Sequence, residues 1–283
     1  GPAAGGGGAS VSVLTDSVSN VKDLAMAADG GPELGVLVEV DVGQARTGVD
    51  PCGSEGAGAV VEVARAIRDA DNLRYRGIHV YQGALQHVRG AEARRSEVER
   101  SASVAGEVVQ ALAEAGLPPE VVTGGGTGSF PDDRDIGVLN DLQPGSFCMM
   151  DRDYALNDDP PDFSQALYIK TAVLCGVRTG PGVVVDAGSK AVDLVSGPPS
   201  VCEGPGGAVL DGVRYVSGGD EHGCLKPTDE GGREWLEGLE PGDDVWLVPC
   251  HVDPNVNLFE EMFVLGEGGG VEEVWQVHRS CGR

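Results

Sequence analysis

The chain has 283 residues, 41% hydrophobic and 23% charged, which excludes wholesale disorder and leaves room for one large domain or two. Its 45 Asp and Glu outnumber 20 Lys and Arg for a formal charge of −25, so nucleic acid and anionic membrane surfaces are excluded as expected partners. No run approaches the roughly 18 apolar residues of a membrane span, and no charged and then apolar leader opens the chain.

Residues 1–10, GPAAGGGGAS, carry too little hydrophobic surface to pack and read as a linker, loop or scar. Short β-rich runs then alternate with helical ones over residues 11–158. SVSVLTD precedes a helix in VKDLAMAA, and GVLVEVDVG precedes one in GAVVEVARAIRDA. YRGIHVYQG leads to a long helix from about Ala91 to Gly116, and VVTGGG and SFCMMD close the series as strands. A βα repeat predicts parallel strands covered by helices. Five strand signals are present where a closed (β/α)₈ barrel needs eight, so the sheet is either open and doubly wound or short of about 100 residues of barrel.

Beyond Pro160 and Pro161 the pattern changes. ALYIKTAVLCGV, GVVVDAGSKAV, VRYVSGGDEHGCL, DDVWLVPCHVD and EEVWQVHR predict an antiparallel β-domain over residues 159–283, strands without helices. The seven cysteines (Cys52, Cys148, Cys175, Cys202, Cys224, Cys250, Cys281) are odd in number and never CxxC. This argues against a disulfide framework or zinc ribbon and for a reducing, cytoplasmic setting, an organelle being left open.

Several groups have chemistry to offer. GGGTGS, residues 124–129, follows a strand and offers backbone N–H groups to a phosphate; an ordinary glycine-rich turn is the plain alternative. It is neither a Walker loop nor a dinucleotide fingerprint. His251 and Asp253, two apart at the end of an apolar strand, would face one way with Cα atoms roughly 6.5–7 Å apart and suit a divalent ion such as Zn, Mn, Fe or Mg. A surface His beside a turn Asp is the commoner reading of HxD. Arg46 follows a strand bearing Glu39 and Asp41. Tyr81 and His87 follow another strand end, with His87 available as a base near neutral pH; a solvated loop His is the default. His79 and His278 are expected inside strands as structural residues, and His222 fits either role.

The order GVLVEVDVGQARTGV, GIHVYQGALQHVR, VVTGGGTGSF, LQPGSFCMMDRDYA, VVVDAGSKAVD, DEHG and VPCHVDPNVNLF resembles the D-threonine aldolase and D-serine dehydratase family. These are pyridoxal-phosphate enzymes of the alanine-racemase fold type. The resemblance runs from about Ser10 to the C-terminus. It implies a TIM-type barrel without its first strands, then the β-domain, in a homodimer acting on a small D-3-hydroxy-amino acid. It places Gly125, Gly126 and Thr127 on the cofactor phosphate, Arg46 and Tyr81 at the cofactor ring, and His87 as base towards the substrate hydroxyl. His251 and Asp253 would hold the divalent metal (Mn, Mg or Zn) at the barrel mouth. The family's Schiff-base lysine belongs to the first barrel strand; Lys22, Lys170, Lys190 and Lys226 all stand in other contexts, and Gln82 stands where many relatives have His.

The implied activity is cleavage of D-threonine and similar substrates to glycine and an aldehyde. The dehydratase relatives, acting on D-serine or 3-hydroxy-D-aspartate, have Cys at the position of Asp253 and no counterpart to His87, which favours the aldolase. A pyridoxal-phosphate-binding protein without catalysis is the further alternative, since the lysine is missing.

Overall fold

A computed structural model describes residues 10–176 and 182–278, so most of the expected linker over residues 1–10, and Cys281, lie outside the described residues. The chain divides into two compact units. One comprises the residues up to Gly145 with Asn157–Pro161, the other Ser146–Leu156 with the residues from Asp162 onward.

The first unit is built on five parallel strands in sequential order: β1 (Ser12–Thr15), β2 (Leu34–Glu39), β3 (Leu73–His79), β4 (Val121–Gly124) and β5 (Asp141–Leu142). Helices α1 (Val18–Ala27), α2 (Ala57–Arg68), α3 (Ala91–Glu114) and α4 (Phe130–Ile136) connect them. Ser17 starts α1 by accepting the Asn20 N–H at 3.3 Å, which satisfies one of the amides a helix start leaves over. In α3 the buried positions are Arg94, Val98, Ser101, Ala105, Val108 and Leu112, steps of four and three that keep one stripe inward. Val36, Val38, Val40, Ile78, Val80 and Val122 form a core with Val60, Ala64 and Ile67 of α2 and Val108 and Leu112 of α3. Each fully buried aliphatic there contributes roughly 1.5–3 kcal/mol.

Strand alternation gives the opposite face to polar groups. In register across four strands stand Glu39, His79, Thr123 and Asp141. The pairing of β2 with β3 contains a shift: Val36 faces Tyr75 and Leu37 faces Gly77, so Arg76 is an extra residue in β3. Gly77 has φ of 143°, and a Cβ there would lie 1.9 Å from the Val121 carbonyl oxygen, so only glycine fits.

In the second unit, β6 (Ile169–Cys175), β7 (Val183–Val185), β8 (Ser200–Cys202), β9 (Val209–Ser217), β10 (Gly223–Pro227) and β11 (Asp244–Val248) close into an antiparallel barrel, in the order β10-β7-β6-β11-β8-β9. Ile169, Val173, Val183, Val185, Val201, Leu225, Val245 and Leu247 fill it. Within the barrel, closure removes the sheet edges that invite foreign strands. The same unit holds the short helix α5 (Arg152–Ala155), and helix α6 (Glu230–Glu237) is started by Asp229, which accepts the Gly232 N–H at 2.7 Å, and buries Leu236. A separate hairpin, β12 (Glu261–Leu265) with β13 (Val271–Gln276), completes the described chain.

The fold expectation holds: a parallel, TIM-like unit is followed by an antiparallel β-unit. Three details differ. SFCMMD is not a strand but a 3₁₀ turn (Ser146–Cys148) with Met150 at φ 59°; the fifth strand is β5, upstream of the Pro144–Gly145 break. The β-unit does contain helices, among them α6. His278 lies just past β13 and not inside a strand, whereas His79 does end β3. Among the described residues no helix is long and apolar enough to cross a membrane.

Candidate cofactor and metal sites

In the first unit the candidate residues lie on loops at the C-terminal ends of β2, β3 and β4. After β2, the Asp41 carboxylate accepts the N–H groups of Gly43 and Gln44 at 2.8 Å each, and of Ala45 at 2.9 Å. This folds the loop back with Ala45 at φ 54° and presents Arg46. The Arg46 guanidinium sits over the Tyr81 ring, 5.5 Å from its centroid. Gln44 ties the same two loops together by accepting the Gly83 N–H at 2.6 Å. Tyr81 in turn lies 6.2 Å from the His79 ring. The structure therefore brings Arg46 and Tyr81 together.

His87, exposed, ends the 3₁₀ turn Gly83–His87, and its neighbour Gln86 is buried. The Gln86 amide grips the GGGTGS loop twice, donating to Ser129 Oγ at 2.8 Å and accepting the Ser129 N–H at 3.0 Å. Asn157 donates to the Gln86 carbonyl at 3.0 Å and is itself held by Arg89 at 2.7 Å. His87 and the glycine loop are thus anchored to one another through a side chain that the sequence alone did not single out.

That loop is shaped by what no side chain could occupy. A Cβ on Gly125 would meet the Asp133 carboxylate at 2.7 Å, one on Gly126 the Gln86 amide at 2.7 Å, and one on Gly128 the Gln86 carbonyl at 2.5 Å. Burial raises the Asp133 carboxyl above its ordinary range, against hydrogen bonds from Ser129 and the Gly126 N–H that pull it down. The Gly126 and Ser129 amides therefore already have protein acceptors. The Thr127 hydroxyl, 2% exposed, has no hydrogen-bond partner among the described residues. A buried, unpaired hydroxyl in a glycine cradle fits an anionic ligand such as a phosphate.

Beside it lies the polar row of the sheet. Gln143 Oε1 accepts from His79 Nε2 at 3.3 Å, Gln143 Nε2 donates to Thr123 Oγ1 at 2.8 Å, and Thr123 donates to Asp141 at 2.5 Å. Glu39 accepts from Thr47 at 2.5 Å and stands 4.0 Å from His79 Nδ1. Burial pushes the His79 imidazole below its usual pKa, with Glu39 and Gln143 opposing and Arg46 adding to the push.

In the second unit, the expectation that His251 and Asp253 share one face of a strand is corrected. β11 ends at Val248, and His251 is the N-cap of the short helix α7 (Val252–Val256), which contains Asp253. Pro249 ahead and Pro254 behind favour a chain turn over further extension. The side chains nonetheless approach, with His251 Nε2 3.8 Å from Asp253 Oδ2. Two ligands each about 2.1 Å from one ion lie roughly 3.0–3.5 Å apart at octahedral to tetrahedral angles, so a small closure suits the pair to a divalent metal. Among the described residues no group of three or more His, Cys, Asp or Glu could hold a metal, so water or substrate would fill the other positions.

Behind His251 stands Asp151, fully buried, its Oδ2 2.5 Å from His251 Nδ1. The same carboxylate accepts the Val252 N–H at 2.7 Å and the Ser146 hydroxyl at 3.0 Å. The Asp151 hydrogen bond raises the His251 pKa, burial opposes it, and the charges of Asp151, Asp253 and Asp153 add to the rise. His222 is exposed in the turn between β9 and β10. Of the lysines, Lys22 is on α1, Lys170 on β6 pairs with Asp244, Lys190 pairs with Glu221, and Lys226 is on β10; none is on the parallel sheet.

The alanine racemase N-terminal domain matches residues 8–153, and the putative serine dehydratase domain matches residues 166–265. Over 278 residues the chain is 39% identical to a 3-hydroxy-D-aspartate aldolase of Paracoccus denitrificans, and over 273 residues 34% identical to a D-threonine aldolase of Arthrobacter sp.. Each match covers 95% of this chain and 67% of the relative. The chain belongs to the D-threonine aldolase family. Among solved structures, this family member is similar to the D-threonine aldolase from Filomicrobium marinum, with a TM-score of 0.83, 37% identity and coverage of 95% of this chain and 69% of that one. A D-threo-3-hydroxyaspartate dehydratase from Delftia sp. shares the fold at 20% identity, with a TM-score of 0.79 and coverage of 95% and 72%.

Proposed function

We propose that this D-threonine aldolase family member is a pyridoxal-phosphate- and divalent-metal-dependent lyase that cleaves D-threonine and other D-3-hydroxy-amino acids to glycine and an aldehyde. The observation that carries the reading is the buried Thr127 hydroxyl, unpaired among the described residues, in a glycine cradle that Gln86 joins through Ser129 to the turn bearing His87. The named aldolases at 34–39% identity support it.

When bound, pyridoxal phosphate supplies an electron sink for the bond that breaks. Thr127 would donate its hydroxyl to the phosphate, with Gly125 and Gly126 leaving room for it. Asp133, accepting from the Ser129 hydroxyl and the Gly126 N–H, would hold the cradle in shape around that anion. Arg46, braced on Tyr81, would orient the ring. His87 would take the proton of the substrate hydroxyl as that group becomes a carbonyl. His251 and Asp253 would hold Mn, Mg or Zn, which lowers the pKa of a bound hydroxyl. A homodimer and a reducing, cytoplasmic setting complete the proposal.

A second reading is cofactor binding without catalysis, and turnover separates the two. Purified protein given pyridoxal phosphate, Mn²⁺ and D-threonine is expected to release glycine and acetaldehyde. A chelator should abolish this, and His87→Ala or Asp253→Ala should lower it by about 10²-fold or more. Cofactor bound without turnover of D-threonine or D-serine would select the second reading. Pyruvate from D-serine with no aldehyde from D-threonine would replace the aldolase by a dehydratase.

A further inference from the structure

Among the described residues no lysine or arginine is within ion-pair distance of Asp151 to explain its burial, and the groups that contact its carboxylate are a histidine, a backbone amide and a hydroxyl. A carboxylate that has given up all exposure normally needs such compensation. Its position is set by backbone pairing on both sides, since the Arg152 N–H donates to the Pro249 carbonyl at 3.3 Å and the Asp153 N–H to the Cys250 carbonyl at 3.1 Å. This lays the segment after Asp151 against the segment before His251. Its Oδ1 accepts the first free amide of α7, and its Oδ2 accepts from Ser146 and faces His251 Nδ1.

An ionised carboxylate only accepts, so the short contact to Nδ1 requires the proton to be on that nitrogen. The other ring nitrogen then has its lone pair available, on the side where Asp253 stands 3.8 Å away. At the opposite end of the residue, Asn255 Nδ2 donates to the His251 carbonyl at 2.7 Å, so the backbone is held as well as the ring.

We propose that Asp151 is a positioning residue for the metal site, committing His251 to the tautomer whose Nε2 faces Asp253. The role rests on the reading of His251 and Asp253 as metal ligands. Carboxylates that orient ligand histidines in this way tune affinity from outside the ligand set. Asp151 itself would touch neither metal nor substrate.

Asp151→Asn is the informative change, because it is nearly isosteric and can still accept the Val252 N–H through its oxygen. Its NH₂ would then face Nδ1 and force the imidazole to accept there, moving the ring proton to Nε2. Two measurements are made on the whole chain. Long-range ¹⁵N–¹H NMR of the metal-free protein at alkaline pH, with His251→Gln to assign the signal, is expected to show Nδ1–H in the parent and Nε2–H in D151N. Electron paramagnetic resonance titration with Mn²⁺ is expected to show affinity about 10–100-fold weaker in D151N. An Nε2–H tautomer in the parent overturns the role of Asp151 without any variant needing to fold. Parent-like Mn²⁺ affinity in folded D151N overturns it as well. A parent that binds no Mn²⁺, or binds it equally as His251→Gln, overturns the metal reading itself, whatever the tautomer.

Discussion

His79 is held neutral by its surroundings, and this has a sign. Burial sets its folded pKa below the unfolded value of about 6.5, so as pH falls the unfolded chain takes up the proton first. Stability is therefore lost as pH drops below that value. His251 is opposite: its folded pKa is raised, so its contribution is present in full below the unfolded pKa and lost as pH rises through the folded one. Thermal unfolding followed across the histidine range should show a flatter acid-side fall in Tm for His79→Gln than for the parent; an unchanged slope would mean that His79 is not the group responsible. Arg46, Tyr81, Thr127 and His87 were legible because polar side chains just after strands are where α/β proteins put chemistry. Gln86, Asp133 and Asp151 were not, because what marks them is burial and a partner 43, 4 or 100 residues away. Asp151 lies within SFCMMDRDYA, yet nothing local separates it from Asp153.

At the scale of elements, the strong periodic segments were legible and the short ones were not. α3 keeps its stripe over 24 residues, which leaves little ambiguity. β5 has two residues and β8 three, and both exist because a neighbouring strand supplies the hydrogen bonds. HVD failed as a strand for a related reason: the pattern before it is apolar and extended, but prolines on both sides end the extension. β3 and β4 approach so closely at Gly77 that its substitution is a test of the sheet. Gly77→Ala puts a methyl carbon into the Val121 carbonyl and a side chain at φ 143°. A loss of roughly 2–4 kcal/mol is expected, read as a fall in Tm; a parent-like Tm would show that the two strands are farther apart than described.

For the chain as a whole, the change from βα alternation to turn-separated strands revealed two architectures. Barrel closure was not legible, because order β10-β7-β6-β11-β8-β9 pairs strands far apart in sequence. The net charge of −25 acts at this scale too, through self-repulsion of the compact state. Raising ionic strength from about 0.01 M to about 0.15 M shortens the Debye length from roughly 30 to 8 Å and should raise Tm; a Tm that falls would show that attractive surface pairs outweigh the repulsion. The spare residue Arg76 has an effect out of proportion to its size. Tyr75 points to the helical side, whereas Gly77, His79 and Tyr81 take the other side, so odd-numbered positions swap sides across it. Were Arg76 to take a regular place in the ladder in place of standing outside it, the parity of everything downstream in β3 would invert: imidazole and phenol would be thrust into the aliphatic layer, and Ile78 and Val80 would be left on the polar face. The chemistry of this strand therefore depends on where its pairing skips a residue as much as on which amino acids are present.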